Sequence, residues 1–214
     1  MNLKVELINK KSNPWFTIWI KPRETVRYME ENYSLIYIYI LVAIGGISEA
    51  LNVAALQNFG DRMSITSIIA YAFIMGPISG ILGLYIFQFL FKWTGKWIGG
   101  KATSQELKYV FGAMKIPLIW YLLLWIPELS IFGTEPFYSE MKSVLNSDIL
   151  LYVYIILGII KVGLGMGIVL VLFVKCLSEV QQFSIWRAIG NILLSVVIVY
   201  LPICVISLFL HYTT

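Results

Sequence analysis

The chain has 214 residues, of which 59% are hydrophobic, 15% aromatic and 13% charged, and its mean hydropathy is +0.80. Soluble domains carry about a quarter charged residues, so half that share excludes a water-soluble monomer, and the apolar excess excludes intrinsic disorder. The net charge of +4 does not point to nucleic acid, because membrane proteins keep extra Lys and Arg on cytoplasmic loops.

Residues 1–33 form a basic N-terminal segment, too long and polar for a signal-peptide n-region, so the first span is expected to be an uncleaved anchor. Within it, Asn13-Pro14-Trp15-Phe16-Thr17-Ile18-Trp19-Ile20-Lys21-Pro22-Arg23 mixes aromatics with base. Trp15, Phe16 and Trp19 share a face if the segment is helical. The rings then lie at the acyl boundary with Lys21, Arg23 and Arg27 on phosphates; the plainer reading is an ordinary anchor before a first span.

Residues 34–214 are predicted to be a five-span all-α membrane domain. A spanning helix needs about 20 apolar residues to cross about 30 Å of hydrocarbon. Five stretches qualify: residues 35–56, 68–91, 116–132, 149–177 and 189–210. They are continuous apolar runs, unlike the alternation of a membrane β-barrel. Thirteen Lys and Arg fall before span one or in the connections after spans two and four, whereas the alternate side has only Arg62 and Lys142. This bias predicts a cytoplasmic N-terminus and an extracytoplasmic C-terminus.

Two further cytoplasmic segments pair aromatics with base. Lys92-Trp93-Thr94-Gly95-Lys96-Trp97-Ile98-Gly99-Gly100-Lys101 follows span two, and Phe183-Ser184-Ile185-Trp186-Arg187 precedes span five. Between spans two and three, Thr103 and Glu106 have capping-box spacing and predict a helix ending near Pro117. Trp93, Lys96, Trp97, Trp186 and Arg187 join Trp15 and Trp19 in a candidate belt facing lipid or a partner.

These segments resemble bacterial members of the YIP family (Ypt/Rab-interacting proteins). The likeness is carried by Asn13-Pro14-Trp15 leading to Ile18-Trp19 and Lys21-Pro22-Arg23, by Gly76-Pro77-Ile78-Ser79-Gly80 in span two, by Thr94-Gly95-Lys96-Trp97-Ile98-Gly99-Gly100, and by Phe183-Ser184-Ile185-Trp186-Arg187-Ala188. It covers nearly the whole chain. The resemblance implies five spans, a cytoplasmic N-terminus, a prokaryotic cell membrane and no catalytic residues. Eukaryotic relatives act in vesicle traffic and bind Rab GTPases or each other, and some bacterial relatives are implied to accompany ABC-type exporters. The short N-terminal region argues against a Rab-type GTPase as partner here.

Glu49 in span one and Lys161 in span four stand inside the hydrocarbon, where a charge costs about 2.5–3.5 kcal/mol on insertion scales. Counted along the helices they lie about 10 and 18 Å from the extracytoplasmic boundary. They are expected to pair, with Asn52 as third member; otherwise each snorkels or neutralises alone. Glu128, after Pro127, reads as interfacial. Gly76 and Gly80, and Gly163 and Gly167, have Gly-x-x-x-Gly spacing, with Gly83 nearby. This predicts close packing of spans two and four, with Pro77 bending span two.

Cys176 and Cys204 make no disulfide framework or metal spacing, and the lone His211 rules out a histidine-based metal site. No cofactor is expected, and no nucleophile–base set can be assembled. The sequence favours a non-enzymatic membrane adaptor that binds another membrane protein, a second copy of itself, or lipid. The alternative is a small transporter or channel with Glu49 and Lys161 in a polar cavity.

Overall fold

The computed structural model describes residues 13–213; Lys4, Lys10 and Lys11, and the side chain of His211, lie outside the described residues. Two short helices come first, α1 (Pro14–Ile20) and α2 (Pro22–Asn32). Both open on proline, whose missing N–H has no partner to lose in a first turn, and the Asn13 side chain accepts from the Trp15 N–H to cap α1. Then follow α3 (Leu35–Leu56), α4 (Ile65–Trp97), α5 (Ser104–Leu122), α6 (Trp125–Phe132), α7 (Lys142–Leu145) and α8 (Asp148–Val162). A π-helical turn, Gly163–Ile168, leads into α9 (Val169–Val180), and α10 (Ile185–Thr213) closes the chain.

The protein is an all-α membrane protein. Five stretches are long and apolar enough to span a bilayer: α3, α4, α5 with α6, α8 with α9, and Ile185–Pro202 of α10. No strand occurs among the described residues. Spans two to five overrun their predicted bounds because hydropathy stops at charge, whereas helices stop at caps. The Ser64 side chain accepts from the Ser67 N–H to start α4. The predicted Thr103/Glu106 capping box forms and starts α5 at Ser104. That helix runs through Pro117 to Leu122, so Lys108 and Lys115 lie on a spanning helix and not on a separate cytoplasmic one.

α3 lies between α4 and α5, and its contact with α4 is backbone on backbone. A Cβ at Gly46 would meet the Gly76 carbonyl oxygen at 2.1 Å, one at Gly76 the Ile47 Cα at 2.7 Å, and one at Gly80 the Val42 carbonyl oxygen at 2.6 Å. Gly76 and Gly80 therefore pack span two on span one, and not on span four as expected. Gly163 and Gly167 have no described atom within 4 Å of an added Cβ, and Gly83 meets only Phe87 of its own helix at 3.9 Å. The missed partner, Gly46, has no glycine four residues away to announce it. Pro77 sits inside an unbroken α4, where the Ser79 hydroxyl donates to the Gly76 carbonyl at 3.1 Å.

One buried cluster, including Ile18, Met29, Ile38, Leu107 and Leu177, lies under α1 and α2, on what is here termed the N-terminal face. A second, with Ala54, Ile68, Tyr121, Trp125 and Phe137, fills the opposite end. There the Phe137 ring stacks on Trp125 at 5.2 Å. α8 contributes no buried residue.

At the opposite end Glu135 caps α7, accepting from the Ser143 N–H at 2.9 Å and the Val144 N–H at 3.2 Å. Hydrogen bonds from Ser143, side chain and backbone, and from Val144 hold its carboxyl below the usual carboxylate range. A depressed folded value means that this stabilisation is full above the unfolded value of about 4.3 and is lost as pH falls through the folded one. Amide exchange at Ser143 and Val144, corrected for intrinsic rates, is expected to accelerate as pH falls below about 4, and Glu135→Gln should remove that step.

The two glycine pairs give a direct contrast. Gly46→Val or Gly80→Leu should lower the unfolding midpoint in detergent, because backbone must move, at a cost of about 1–3 kcal/mol or more. Gly163→Ala should leave the midpoint unchanged or raise it, since alanine is favoured over glycine in a helix by up to about 1 kcal/mol.

Candidate functional site: the N-terminal face and the intramembrane ion pairs

The N-terminal face is assembled on the C-terminal end of α9. The Cys176 thiol donates to the Pro22 carbonyl at 3.4 Å, and Arg23 Nη2 donates to Ser178 Oγ at 3.1 Å. Arg27 is the hub of α2. Its Nη1 donates to Glu106 on α5 at 2.7 Å and to Glu30 at 3.1 Å, and its Nη2 donates to the Glu179 carbonyl at 3.2 Å. Burial alone would lower the Arg27 pKa; the hydrogen bonds and charges of Glu106 and Glu30 outweigh it and raise it. Two residues on, the buried Gln181 donates Nε2 to the Phe91 carbonyl at 2.9 Å and accepts from the Ala102 N–H at 3.2 Å. Gly95 and Gly100 make room, since a Cβ on either would fall 2.2 Å from the Gln181 amide.

This bracing brings together the three basic-aromatic segments, with different exposures from those expected. Trp15 and Trp19 are not outward-facing. Both pack against the core, and Trp15 Nε1 donates to the Tyr37 hydroxyl at 3.0 Å. The shared face holds for Trp15 and Trp19, which turn inward with Ile18, but Phe16 parts from them and is left exposed. Arg27 is likewise committed to ion pairs, whereas Lys21, Arg23, Lys96 and Arg187 remain exposed. Phe89, Trp93 and Trp97 make a ladder up the outside of α4, with centroid spacings of 6.3 and 4.8 Å. Trp97 is 55% and Trp186 80% exposed.

Inside the membrane, Glu49 and Lys161 do not pair with each other. Lys115 Nζ donates to Glu49, and Lys161 Nζ donates to Glu128. Counted at 1.5 Å per residue from the N-terminal face, Glu49 and Lys115 stand about 21 and 17 Å in, and Glu128 and Lys161 about 36 and 29 Å in. The charges thus form two layers. Lys115 crosses α3 over Gly45, whose absent Cβ would lie 2.8 Å from Lys115 Cδ. Glu128 is buried, not interfacial, at 4% exposure. The chain tightens at Leu123 and Leu124, and α6 restarts with Pro127 in its first turn, where proline breaks no helical hydrogen bond. Lys161 also stands 3.8 Å from the Trp125 ring centroid. Asn52 joins neither pair directly and accepts from the Tyr121 hydroxyl at 2.7 Å.

A cavity of about 280 Å³ opens between α3, α4 and α5 and is lined by Glu49 and Lys115 together with Val42, Ser79, Phe87 and Phe111. Lys161 and Glu128 do not line it. Among the described residues no group of three His, Cys, Asp or Glu side chains is placed to hold a metal ion.

A family model described as the Yip1 domain matches residues 16–206. The chain belongs to the Yip1 domain family. Comparison with curated proteins and with solved structures gives no match. The matched stretch begins in α1 and ends in α10, so the Yip1 domain takes in most of α1, α2 and all five spans. It makes the protein an integral membrane protein of that family.

Sequence reasoning missed Lys115, Gln181 and Glu179. Lys115 had a signal in the Thr103/Glu106 capping box, which places it on the helix that follows. Gln181 had none beyond its place in a short polar junction.

Double-mutant cycles in this Yip1-domain chain should separate the two layers. Glu49→Gln with Lys115→Met, and Glu128→Gln with Lys161→Met, are expected to couple by about 0.5–3 kcal/mol in unfolding free energy. Glu49→Gln with Lys161→Met should be additive.

Proposed function

We propose that this Yip1-domain protein is a non-enzymatic membrane adaptor whose N-terminal face docks another membrane protein. The observation that carries the reading is the exposed Trp93–Trp97 ladder and the exposed Trp186, flanked by Lys96 and Arg187. They stand on a face whose Trp15 and Trp19 are packed inward and which is braced through Arg27 and Gln181. Exposed tryptophan and arginine on a rigid platform are the residues that dominate contact energy when a partner covers them. The same rings also suit the headgroup layer, which fits a face working at the membrane surface.

The charge bias of the connections supports a cytoplasmic location for this face and an extracytoplasmic C-terminus. The resemblance to bacterial YIP members supports a prokaryotic cell membrane and, as partner, an ABC-type exporter or a second copy of this chain. Photo-crosslinking in native membranes tests the reading. A probe at Trp97 or Trp186 is expected to give a discrete adduct, absent from a probe at Tyr152 on α8. Mass spectrometry of the adduct distinguishes an exporter subunit from the chain itself. Equal labelling from all three positions, or none, rejects the adaptor.

A second reading, a small transporter or channel, rests on the cavity that reaches Glu49 and Lys115 at mid-membrane depth. It requires ion or solute flux in proteoliposomes that Glu49→Gln abolishes. An adaptor gives no flux with either chain.

A further inference from the structure

Where α1 meets α2, the N-terminal face has a shallow pocket of about 330 Å³. Its walls carry Lys21, Arg23 and Lys175, with Glu24, Ile20 and Ile185. A second cavity of about 390 Å³ lies between α9 and α10. Apart from the stem of Lys175 it is walled by aliphatic side chains, among them Leu170, Val174, Ile189, Ile192 and Leu193. Lys175 and Ile185 line both cavities, so the basic pocket sits at the mouth of the apolar crevice. From Ile185 to Leu193 the crevice follows α10 for about 12 Å toward the membrane interior.

We propose that these two cavities form one binding site for an anionic phospholipid, with the headgroup phosphate in the basic pocket and an acyl chain in the crevice. The charges suit that occupant. Lys21 is already paired with Glu24 at 3.0 Å, so that pair is neutral. Arg23 and Lys175 form no ion pair among the described residues. Ser178 holds one nitrogen of the Arg23 guanidinium at 3.1 Å, which fixes the planar group and leaves other N–H donors for phosphate oxygens. Two uncompensated cations favour a headgroup with net negative charge over a zwitterionic one, whose own ammonium they repel. Basic pockets between spanning helices recognise anionic headgroups on this principle. A free anion would use the pocket and leave the crevice empty, whereas a lipid fills both. The site involves neither the Trp93–Trp97 ladder nor Trp186, and it stands whether or not that face docks a protein.

The test uses the full chain, purified in detergent and supplied with phosphatidylglycerol, phosphatidylcholine or inorganic phosphate. Lipid retention is read by native mass spectrometry and stability by the thermal midpoint. Phosphatidylglycerol is expected to be retained in preference to phosphatidylcholine and to raise the midpoint, while inorganic phosphate does not. Lys175→Gln, at an exposed side chain, should leave the lipid-free midpoint unchanged and lower phosphatidylglycerol retention about fivefold. Leu193→Trp, which fills the crevice, should lower retention with all three cations intact, and Lys142→Gln on the opposite face should have no effect. Equal retention of the two lipids, a midpoint shift with inorganic phosphate as large as with phosphatidylglycerol, or retention unchanged in both Lys175→Gln and Leu193→Trp would overturn the proposal.

Discussion

The last turn and a half of α9 is the point on which the N-terminal face depends. A helix end leaves carbonyls without intrahelical donors, and one buried against other elements must find them elsewhere. Here the Glu179 carbonyl takes an N–H from Arg27 and the Gln181 carbonyl takes the Lys101 N–H at 3.3 Å. Side chains of the same stretch reach Pro22, Arg23, Phe91 and Ala102. Six consecutive residues therefore join α2, the end of α4 and the connection into α5. Once one helix end is satisfied this way, three remote segments have a fixed relation to one another.

Deeper in the membrane, glycine and charge divide the work. Gly46, Gly76 and Gly80 let α3 and α4 touch through their backbones, so side chains on that seam cannot fill space. Gly45, one position along, does the same for the stem of Lys115. The charge on Lys115 is thereby carried across α3 to Glu49, and both escape the cost of standing alone in hydrocarbon. Close approach and ion pairing are one arrangement: without Gly45 the lysine stem would have to leave the surface of α3.

Much of this architecture is legible in the sequence. Leu35–Leu56 is bounded by polar Ser34 and Gln57, so hydropathy and helix end at the same residues. The five spans, the capping box and the family resemblance rest on similarly local signals. Pairings across helices were not legible, because they depend on register. Lys115 falls within the cytoplasmic helix expected to end near Pro117, and only when that helix continues into span three does it stand level with Glu49. Glu128 reads as interfacial because Pro127 resembles a helix end, whereas it stands in the first turn of a new helix. The outward rings of α1 were misassigned for a related reason: spacing says which residues share a face, but not whether lipid or protein lies against it.

The segment formed by α8, the π-helical turn and α9 has its own consequence for how the protein meets bilayers of different thickness. Its 33 residues extend about 50 Å if straight, far beyond the roughly 30 Å hydrocarbon layer. α9 is held at the N-terminal face, so the mismatch falls on α8, which buries nothing. The π-helical turn lies between the two, and the Lys161–Glu128 pair tethers α8 just beside that turn. A change in bilayer thickness is therefore expected to show first in the tilt of α8, which packs on little, and last in α4, whose equal length is held by the glycine seam.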